Sequence, residues 1–575
     1  MDARYQSAQE GAIMFLPATV DEFNKLGWRQ ADIIIVSGDA YIDSPFSGAA
    51  LVGKVLLNAG FKVAVISQPE IESPADITRL GSPRLYWGVT AGATDSMVAN
   101  YSSSGRKRKS CDFTPGGYNS RRPDRACIVY TNLIKRYDRG KRPVVLGGIE
   151  ASLRRFAHYD SQTDKIRRSL LFDAKADYII YGMGEYPAVN LARALEEGKD
   201  ISGIKGVCYT AKTPPDNSVI LPPFEDAAAT PEQFENFFRR FYSHASTLSG
   251  EILAQKCADR YVVQNPPYIM TGAELDYIHS MSYEREAHPD EKRKGAVKAV
   301  ETVKYSIASH RGCFGECNFC AISIHQGRAV VSRSRGAIIR EAAVISKLPG
   351  FKGVISDVGG PTANMYGSAC VKMQKGKICK EKRCLWPSVC PALSGSQENY
   401  TELLRHLRKI KGIKKIRVSS GIRADLALAN RDNGARFIAD LAKYHTGGQI
   451  KLAPEHSEEE VLRLMGKPHI CHVERFAAIF SAFSAKENKK QFISYYFMAA
   501  HPGCTADSMK KLNKYIKTNV TFTPEQAQIF TPAPSTWSAC MYYTCRDYIN
   551  GSQINVEKKL KGKTAQKMLI LNAKH

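Results

Sequence analysis

Apolar runs and amphipathic stretches alternate along the first half of the chain. Short apolar runs predict buried strands, and stretches with helical spacing predict the helices between them. A strand in "DIIIVSG" (32–38), a helix in "SGAALVGKVLLNAG" (47–60) and a strand in "FKVAVISQ" (61–68) form one βαβ unit. Such a unit implies a parallel sheet with a right-handed crossover. Further strands are predicted at 84–90, 142–150, 176–185 and 204–211. We therefore predict a doubly wound α/β domain over residues 1–212.

A stretch rich in turn residues separates this half from the next. It begins with "PPDNSVILPPFEDAAATPEQ" at Pro214, and its many turn residues indicate a domain boundary. We predict a linker and helical region over 213–298. Six strands then alternate with helices and predict a partial (β/α)6 barrel over 299–550, whose site lies at the carboxyl ends of its strands. A Cys-rich insertion at 365–395 interrupts the barrel, and a short basic tail is expected at 551–575.

Charge and cysteine content narrow the class of protein. The chain has 575 residues, too many for one core, and a formal net charge of +25. This charge favours an anionic partner such as nucleic acid, although lysines on solvated helix faces give the same balance. There is no apolar run of about 18 residues and no signal-like N-terminus, so we expect a cytoplasmic protein that does not span a membrane. In that compartment the 15 cysteines are interpreted as metal ligands or buried thiols.

Three cysteines lie close together in "SHRGCFGECNFCAI", directly after a predicted strand. Cys313, Cys317 and Cys320 have the spacing C-x3-C-x2-C. Three thiolates can hold three irons of a 4Fe–4S cube and leave the fourth iron an open position, where chemistry can occur. The alternatives are a zinc site with His310 or His325 as fourth ligand, or three unconnected buried thiols.

The spacing, with the aromatic Phe319 before the last cysteine, resembles the radical S-adenosylmethionine (SAM) superfamily. With "SGDAYIDSPFSG", "GGIEASLRR", "SDVGGPTANMYG", "LAPEHSEEEVLRLMGKP" and "FTPAPSTWSACMYYT", the chain resembles the YgiQ-type radical SAM proteins. The resemblance implies an oxygen-sensitive enzyme whose three-cysteine 4Fe–4S cluster cleaves SAM reductively. The resulting 5′-deoxyadenosyl radical would abstract hydrogen from an unknown substrate, and a flavodoxin or a ferredoxin-like protein would supply the electron.

The same resemblance implies a set of SAM-binding residues on later strands. They are Phe319, Gly359, Gly360, Pro361, Ser420, Arg423, Glu455 and Met498. A glycine pair lets the backbone approach a ligand closely. The hydroxyl of Ser420 and the guanidinium of Arg423 suit a ribose and a carboxylate. Glu455 could instead cap the following helix.

The first half resembles cobalamin-binding domains fused to radical enzymes. The usual fingerprint is D-x-H-x-x-G, in which the histidine ligates cobalt. Here the stretch runs from Asp43 to Gly48, and Pro45 stands at the histidine position. Because proline has no ligand atom, we expect that cobalamin does not bind tightly. The domain is then interpreted as one that docks on the barrel or recognises substrate.

A second cysteine group lies in the Cys-rich insertion. It consists of Cys370, Cys379, Cys384 and Cys390, and Pro391 after the last resembles the Cys-Pro end of ferredoxin motifs. We predict an auxiliary 4Fe–4S cluster here, with zinc or free thiols as the alternatives.

Two rival functions stay open at this point. The fourth-strand segment and the net charge favour a methylthiotransferase-like or methyltransferase-like RNA-modifying radical enzyme. Against it, the first half has no compact three-cysteine cluster, because its cysteines lie far apart at positions 111, 127, 208 and 257. The other rival is a non-catalytic iron–sulfur redox sensor.

Overall fold

The computed structural model describes residues 15–245, 250–375, 377, 379, 383–394, 397–429, 431–520, 524 and 527–573. Its strands are β1 Ile33–Ser37, β2 Ile42–Asp43, β3 Val63–Ser67, β4 Tyr86–Thr90, β5 Val144–Gly147, β6 His158–Asp160, β7 Lys165–Arg167, β8 Tyr178–Ile180, β9 Val207–Ala211, β10 Val219–Leu221, β11 Leu253–Cys257, β12 Arg260–Gln264, β13 Glu286–Ala287, β14 Ser306–Ala308, β15 His310–Arg311, β16 Val331–Ser332, β17 Val354–Ile355, β18 Asp357–Gly359, β19 Ala369–Cys370, β20 Leu393–Ser394, β21 Lys415–Ile416, β22 Gln449–Glu455, β23 Phe492–Ala499 and β24 Ala527–Ile529.

The helices lie between these strands. They are α1 Val20–Lys25, α2 Gly48–Asn58, α3 Ala75–Thr78, α4 Ser96–Asn100, α5 Ala126–Tyr137, α6 Gly148–Ser152, α7 Leu170–Asp173, α8 Glu185–Glu197, α9 Phe224–Ala227, α10 Pro231–His244, α11 Gly272–Ser280, α12 Pro289–Lys294, α13 Ala299–Val303, α14 Ile322–His325, α15 Arg335–Ile345, α16 Val371–Gln374, α17 Gln397–Leu407, α18 Ala424–Ala427, α19 Arg431–Asp440, α20 Glu459–Met465, α21 Cys471–Lys486, α22 Ala506–Asn519, α23 Trp537–Thr544 and α24 Leu560–Leu571.

The first half is organised around one nine-stranded sheet with the order β10-β11-β12-β9-β8-β5-β4-β1-β3. Five neighbouring strands of this sheet, β8, β5, β4, β1 and β3, are parallel, as the βαβ pattern predicts. All five residues of β1 and of β3 are buried, which is typical of parallel strands covered by helices on both faces.

The sheet extends beyond the boundary that the sequence predicted. Strands β10, β11 and β12 reach residue 264, inside the region expected to be linker and helix. β12 pairs antiparallel with β9 and with β11, and β10 adds to β11 in parallel, which carries the sheet outward from β9. Prolines on both sides of β10 mimic a linker, but edge strands tolerate proline because their outer face needs no hydrogen-bond partner.

The second half contains six parallel strands in succession. They are β14, β17 continued by β18, β21, β22, β23 and β24. β14 pairs with β18, β17 pairs with β21, and β22, β23 and β24 form one ladder. A single parallel bridge from Ile422 to Leu452 joins the third position to the fourth. Spatial order therefore follows chain order. The chain as a whole is a mixed α/β protein with one large sheet that is parallel in its core.

The segment expected to be a basic tail forms α24 instead. Its Ile570 is fully buried, and Gln566 accepts a hydrogen bond from Ala500 N at 2.9 Å. Lysines near its start are exposed to solvent, and in the sequence they obscure the apolar residues that anchor the helix. In the part of the chain that the structure describes, no helix has both the length and the apolar character that crossing a bilayer requires.

Candidate active site

The cluster loop, residues 312–320, follows β15 and brings the three predicted cysteines together. A Cβ built on Gly315 would lie 3.2 Å from Cys313 Sγ and 3.7 Å from Cys317 Sγ, so the two thiols flank this glycine. Cys320 N–H donates to the Cys317 carbonyl at 3.0 Å and closes the turn. Burial raises the pKa of Cys320 to about 12, and the two other thiols add to this rise.

Backbone contacts fix both ends of the cluster loop. Gly312 has a φ of +80°, and a Cβ there would lie 1.9 Å from the Ala329 carbonyl oxygen, so the loop requires glycine at its start. At the other end, the Asn318 N–H donates to Met465 O at 2.9 Å, and its side chain donates to Leu464 O at 2.7 Å. These contacts hold the loop against two separate parts of the second half.

The thiol geometry suits a cluster better than a single ion. Among the described residues, no three His, Cys, Asp or Glu side chains converge closely enough to hold one metal ion. The zinc alternative needs such convergence at a tetrahedral point. Its two candidate ligands, His310 and His325, line the cavity described below, which none of the three cysteines lines, and each Nδ1 lies 2.9 Å from a serine Oγ. An iron–sulfur cube, in contrast, distributes its ligands over several irons.

Arg423 lies against the cluster loop rather than on the cavity wall. Its Nη1 is 3.5 Å from Cys317 Sγ, and its other guanidinium nitrogens donate to Asp425 at 2.9 Å and 2.6 Å. Its positive charge opposes the effect of burial on the Cys313 thiol, whose pKa is nevertheless raised. The guanidinium is thus placed to offset the negative charge of thiolates, a different role from the carboxylate contact that the sequence suggested.

The glycine pair at the end of β18 packs too tightly to carry side chains. A Cβ on Gly359 would lie 2.3 Å from Ser420 Oγ, and one on Gly360 would lie 2.6 Å from the His310 ring. Asp357 holds Ser420 in place, because its carboxylate accepts from the Ser420 N–H at 3.1 Å and from the hydroxyl. Gly359, Gly360 and Ser420 therefore form one compact surface.

Glu455 occupies a strained backbone position at the end of β22. Its φ is +70°, and its side chain is largely buried, with the Lys467 Nζ 4.0 Å away. Burial raises the pKa of this carboxyl group, while the charges of Lys467 and Arg423 oppose the rise. Glu455 is also close enough to influence the pKa of Cys320. It does not cap the following helix, because no side-chain cap is present at α20.

Two of the predicted SAM residues lie in apolar packing. The ring of Phe319 meets the ring of His501 edge-on, with centroids 6.3 Å apart. Met498 is buried in a core that also contains Phe497 and Ala499. Neither residue lines the cavity described next.

A cavity of about 580 Å³ lies between the two halves of the chain. Its first-half wall includes Pro45 and the glycines that follow β5 and β8, and an apolar recess extends between α2, α8 and the sheet. Its second-half wall includes the compact surface of Gly359, Gly360 and Ser420, together with Pro361. A cavity of this size and mostly apolar lining is typical of a ligand site.

Several buried polar atoms on the cavity wall have no hydrogen-bond partner within the described ranges. They are both ring nitrogens of His279, the Nε2 of His310 and the Oε2 of Glu185. Each of these residues is at most 4% exposed. Burial lowers the pKa of His310 and of His325 to about 4, so these imidazoles are neutral at pH 7. Unsatisfied polar atoms at such depth are costly, and a ligand in the cavity would satisfy them.

Sequence reasoning missed residues that support the site from a distance. Asp357, Asn318 and Asp425 each hold a predicted residue or loop in place through hydrogen bonds. Asp357 directly precedes the Val-Gly-Gly stretch, and an acid at a strand end is a signal that could have been used. His279 lies on α11 in the presumed linker, where no motif marks it.

The comparison with protein families gives the class of the protein. Residues 15–306, about half of the chain, match the family model described as Radical SAM N-terminal. Together with the cysteine loop on a parallel α/β scaffold, this match defines the chain as a radical SAM enzyme, with SAM and a 4Fe–4S cluster as the cofactors of its class. An enzyme class favours the catalytic prediction over the non-catalytic redox sensor.

Curated relatives give the particular family. A UPF0313 protein of Fusobacterium nucleatum is 47% identical over 558 residues, which cover 97% of this chain and 98% of the relative. A UPF0313 protein of Thermotoga neapolitana is 46% identical over 563 residues, with coverage of 97% and 98%. The chain belongs to the UPF0313 family, the YgiQ-type family that its motifs resemble.

A solved structure corrects the expectation about cobalamin. The radical SAM methyltransferase TsrM from Kitasatospora setae, solved with cobalamin and a [4Fe-4S] cluster bound, has a TM-score of 0.50 and 14% identity to this chain. The match covers 88% of this chain and 77% of TsrM and shows a shared fold. Our expectation that cobalamin does not bind tightly is contradicted, because a protein of this fold holds it. Pro45 removes one cobalt ligand, but the cavity beside it keeps the surface on which a large ligand can be held.

Proposed function

We propose that this enzyme holds a 4Fe–4S cluster on Cys313, Cys317 and Cys320, with SAM bound at the open iron. The observation that carries the proposal is the meeting of these three thiols with Arg423, where Cys313 Sγ lies 4.0 Å from the hydroxyl of Thr362, two residues after a glycine pair that lines the cavity. When bound, the cluster supplies the electron that splits SAM into methionine and a 5′-deoxyadenosyl radical able to abstract hydrogen from a substrate. A partial (β/α)6 barrel, consistent with the chain-order pairing of the six strands, would present the loop at its carboxyl edge.

The residues of the chain prepare the site for an anionic cluster. Metal ligation needs deprotonated thiols, and Cys320 has its pKa raised to about 12 in the apoprotein, so loading the site releases protons. Arg423 lies 3.5 Å from Cys317 Sγ and stabilises the thiolate form. Asp425 in turn fixes the guanidinium through two hydrogen bonds.

The glycine surface and its neighbours position SAM. Gly359 and Gly360 offer backbone without side chains, and Ser420 presents a hydroxyl whose orientation Asp357 fixes. Pro361 continues this surface along the cavity wall. Glu455, close to Cys320, supplies a buried carboxyl group near the cluster loop. A flavodoxin or a ferredoxin-like protein would provide the electron.

Release of 5′-deoxyadenosine tests this proposal. The anaerobically reconstituted protein, reduced with dithionite, should release it slowly from SAM even without substrate. Cys317→Ala should lower the release to background, whereas Cys471→Ala, a change at an exposed cysteine, should leave it unchanged. A fully loaded wild-type protein that releases none, and whose paramagnetic resonance signal ignores SAM, would contradict the proposal.

We further propose that the cavity binds a corrinoid, which when bound would supply a carrier for methyl transfer. The fit rests on the apolar recess between α2 and α8 and on the unpartnered nitrogens of His279. Equilibrium dialysis with hydroxocobalamin should show retention with a shifted visible spectrum. His279→Ala should weaken the retention, and His406→Ala, at an exposed histidine, should not. Equal retention by both variants would remove His279 from the site, and no retention by the wild type would refute the proposal.

The net charge of the chain bears on the class of its substrate. A net charge of +25 supports an RNA-modifying methyl transfer as the second candidate function. Binding of transfer RNA whose affinity falls steeply with salt would support it. Affinity that does not change with salt would favour a small neutral substrate in the apolar cavity.

A further inference from the structure

The Cys-rich insertion folds so that three of its four cysteines come together. Its ends are joined by the pairing of β19 with β20, in which Cys370 lies opposite Leu393. The Leu393 N–H donates to Cys390 O at 3.0 Å, and the Cys390 N–H donates to Cys384 O at 2.8 Å. The backbone therefore carries Cys370, Cys384 and Cys390 to one end of the insertion.

Two of these three cysteines pack in the same apolar environment. Cys370 is 7% exposed and belongs to an apolar cluster with Phe314, Met365, Leu385 and Leu426, against which Cys384 also packs.

The fourth cysteine is tethered to the same region through an arginine. The Arg328 guanidinium donates to the Cys379 carbonyl and also lies 3.5 Å from a carboxylate oxygen of Glu316 on the cluster loop. Arg383, next to Cys384, donates to the Glu316 carbonyl at 3.2 Å. The two arginines thus join the insertion to the cluster loop at Glu316.

We propose that Cys370, Cys379, Cys384 and Cys390 bind a second iron–sulfur cluster. Cysteines carried on a loop that shares one apolar cluster suit an iron–sulfur cluster, because its ligands are distributed over several irons.

The second site is separated from the first by a single layer of side chains. Phe314 follows Cys313 in the cluster loop and packs in the same apolar cluster as Cys370. Cys313 also packs against this cluster. The two thiol groups therefore share one apolar layer while belonging to different segments of the chain. Iron binding at the second site is independent of whether SAM is cleaved at the first.

Iron and zinc content of matched variants tests the proposal. After anaerobic reconstitution, the triple variant Cys313→Ala/Cys317→Ala/Cys320→Ala should keep about half of the wild-type iron and sulfide. The double variant Cys384→Ser/Cys390→Ser should also lose about half, yet keep the response of its paramagnetic resonance signal to SAM. Cys471→Ser should keep all of its iron.

Several outcomes would overturn the proposal. They are a triple variant without iron, a double variant with full iron, and zinc in place of iron at the insertion. If either variant fails to fold, the reduced wild-type protein decides: two cluster signals, of which SAM changes one, support the second site, and a single signal refutes it. If the wild-type protein releases no 5′-deoxyadenosine while the triple variant still keeps about half of the wild-type iron, only the proposed function is contradicted.

Discussion

The two halves of the chain hold their strands together in different ways. In the first half, β1 and β3 each bury five consecutive residues in one continuous ladder. In the second half, the strands nearest the cluster loop have only two or three residues, and side chains such as Asp357, which accepts a hydrogen bond from the Ser419 N–H at 2.7 Å, join their ends. The candidate site thus lies where regular structure contributes least. Ligands should therefore add stability mainly to the second half.

Removing apolar volume from the first-half sheet should have the largest effect on stability. Ile34 is fully buried in β1, between β3 and β4. Ile34→Ala should lower the free energy of unfolding by about 2 to 5 kcal/mol because it leaves a cavity. Urea denaturation measures this change. Val344→Ala, at a side chain that is 61% exposed, is the control and should change it by less than about 0.5 kcal/mol. Equal effects would mean that the sheet is not the stabilising part of the molecule.

Acid should destabilise both halves over the same pH range. Burial lowers the pKa of His158, in the first half, and of His445, in the second, to about 4. Between pH 6.5 and about 4 the unfolded chain binds more protons than the folded one, so the free energy of unfolding falls as the pH falls. The shift corresponds to at most about 3 kcal/mol for each group.

Variants of the two histidines test this pH dependence. His158→Gln and His445→Gln should each flatten the dependence of the free energy of unfolding between pH 4 and 7, as measured by urea denaturation. The two imidazoles are matched, because each Nδ1 lies 3.1 Å from a backbone carbonyl oxygen. A flattening by only one of them would assign acid sensitivity to a single half.

SAM should protect the second half selectively. At 100 times its dissociation constant, a ligand that binds only the folded state stabilises it by about 2.7 kcal/mol. For the reconstituted enzyme, hydrogen exchange should slow in β14 and β18, beside the proposed site, more than in β1 and β3. Uniform slowing across both halves would show that they open as one cooperative unit and would remove the contrast between them.

A glycine substitution should have the smallest effect. Gly359→Ala places a Cβ 2.3 Å from Ser420 Oγ and should weaken SAM binding about tenfold, or about 1.4 kcal/mol, without loss of iron. Gly421→Ala is the matched control, since a Cβ there meets nothing within 4 Å. Titration of the paramagnetic resonance signal with SAM gives both affinities. Equal affinities would show that the glycine pair does not contact SAM.

The strands of the first sheet could be predicted because their signal is local. In β1, four consecutive apolar residues are followed by Ser37 and a glycine turn, and the structure has the strand at that place. β10 and α24 could not be predicted in the same way. Prolines surround β10, and lysines begin α24, so short-range composition pointed to a linker and a tail. What fixes both elements is packing against distant parts of the chain.

The candidate site shows the same division. The spacing of the three cysteines marks the cluster loop from sequence alone, and the glycine pair marks the surface beside it. The role of Arg423 depends on Asp425 and on Cys317, which is 106 positions away. His279 acquires its meaning only from the cavity wall. Contacts across such distances carry no local pattern and become visible only in three dimensions.

Helix α24 has a practical consequence for shortening the protein. The last recognisable sequence motif ends near residue 545, which makes the final thirty or so residues look dispensable. Deleting them would leave the Ala500 N–H without Gln566 as acceptor and would uncover the apolar surface that Ile570 occupies. That surface belongs to the packing around β23 and β24, the last two strands of the second half. Affinity tags and fusions are therefore better attached beyond the helix than in place of it.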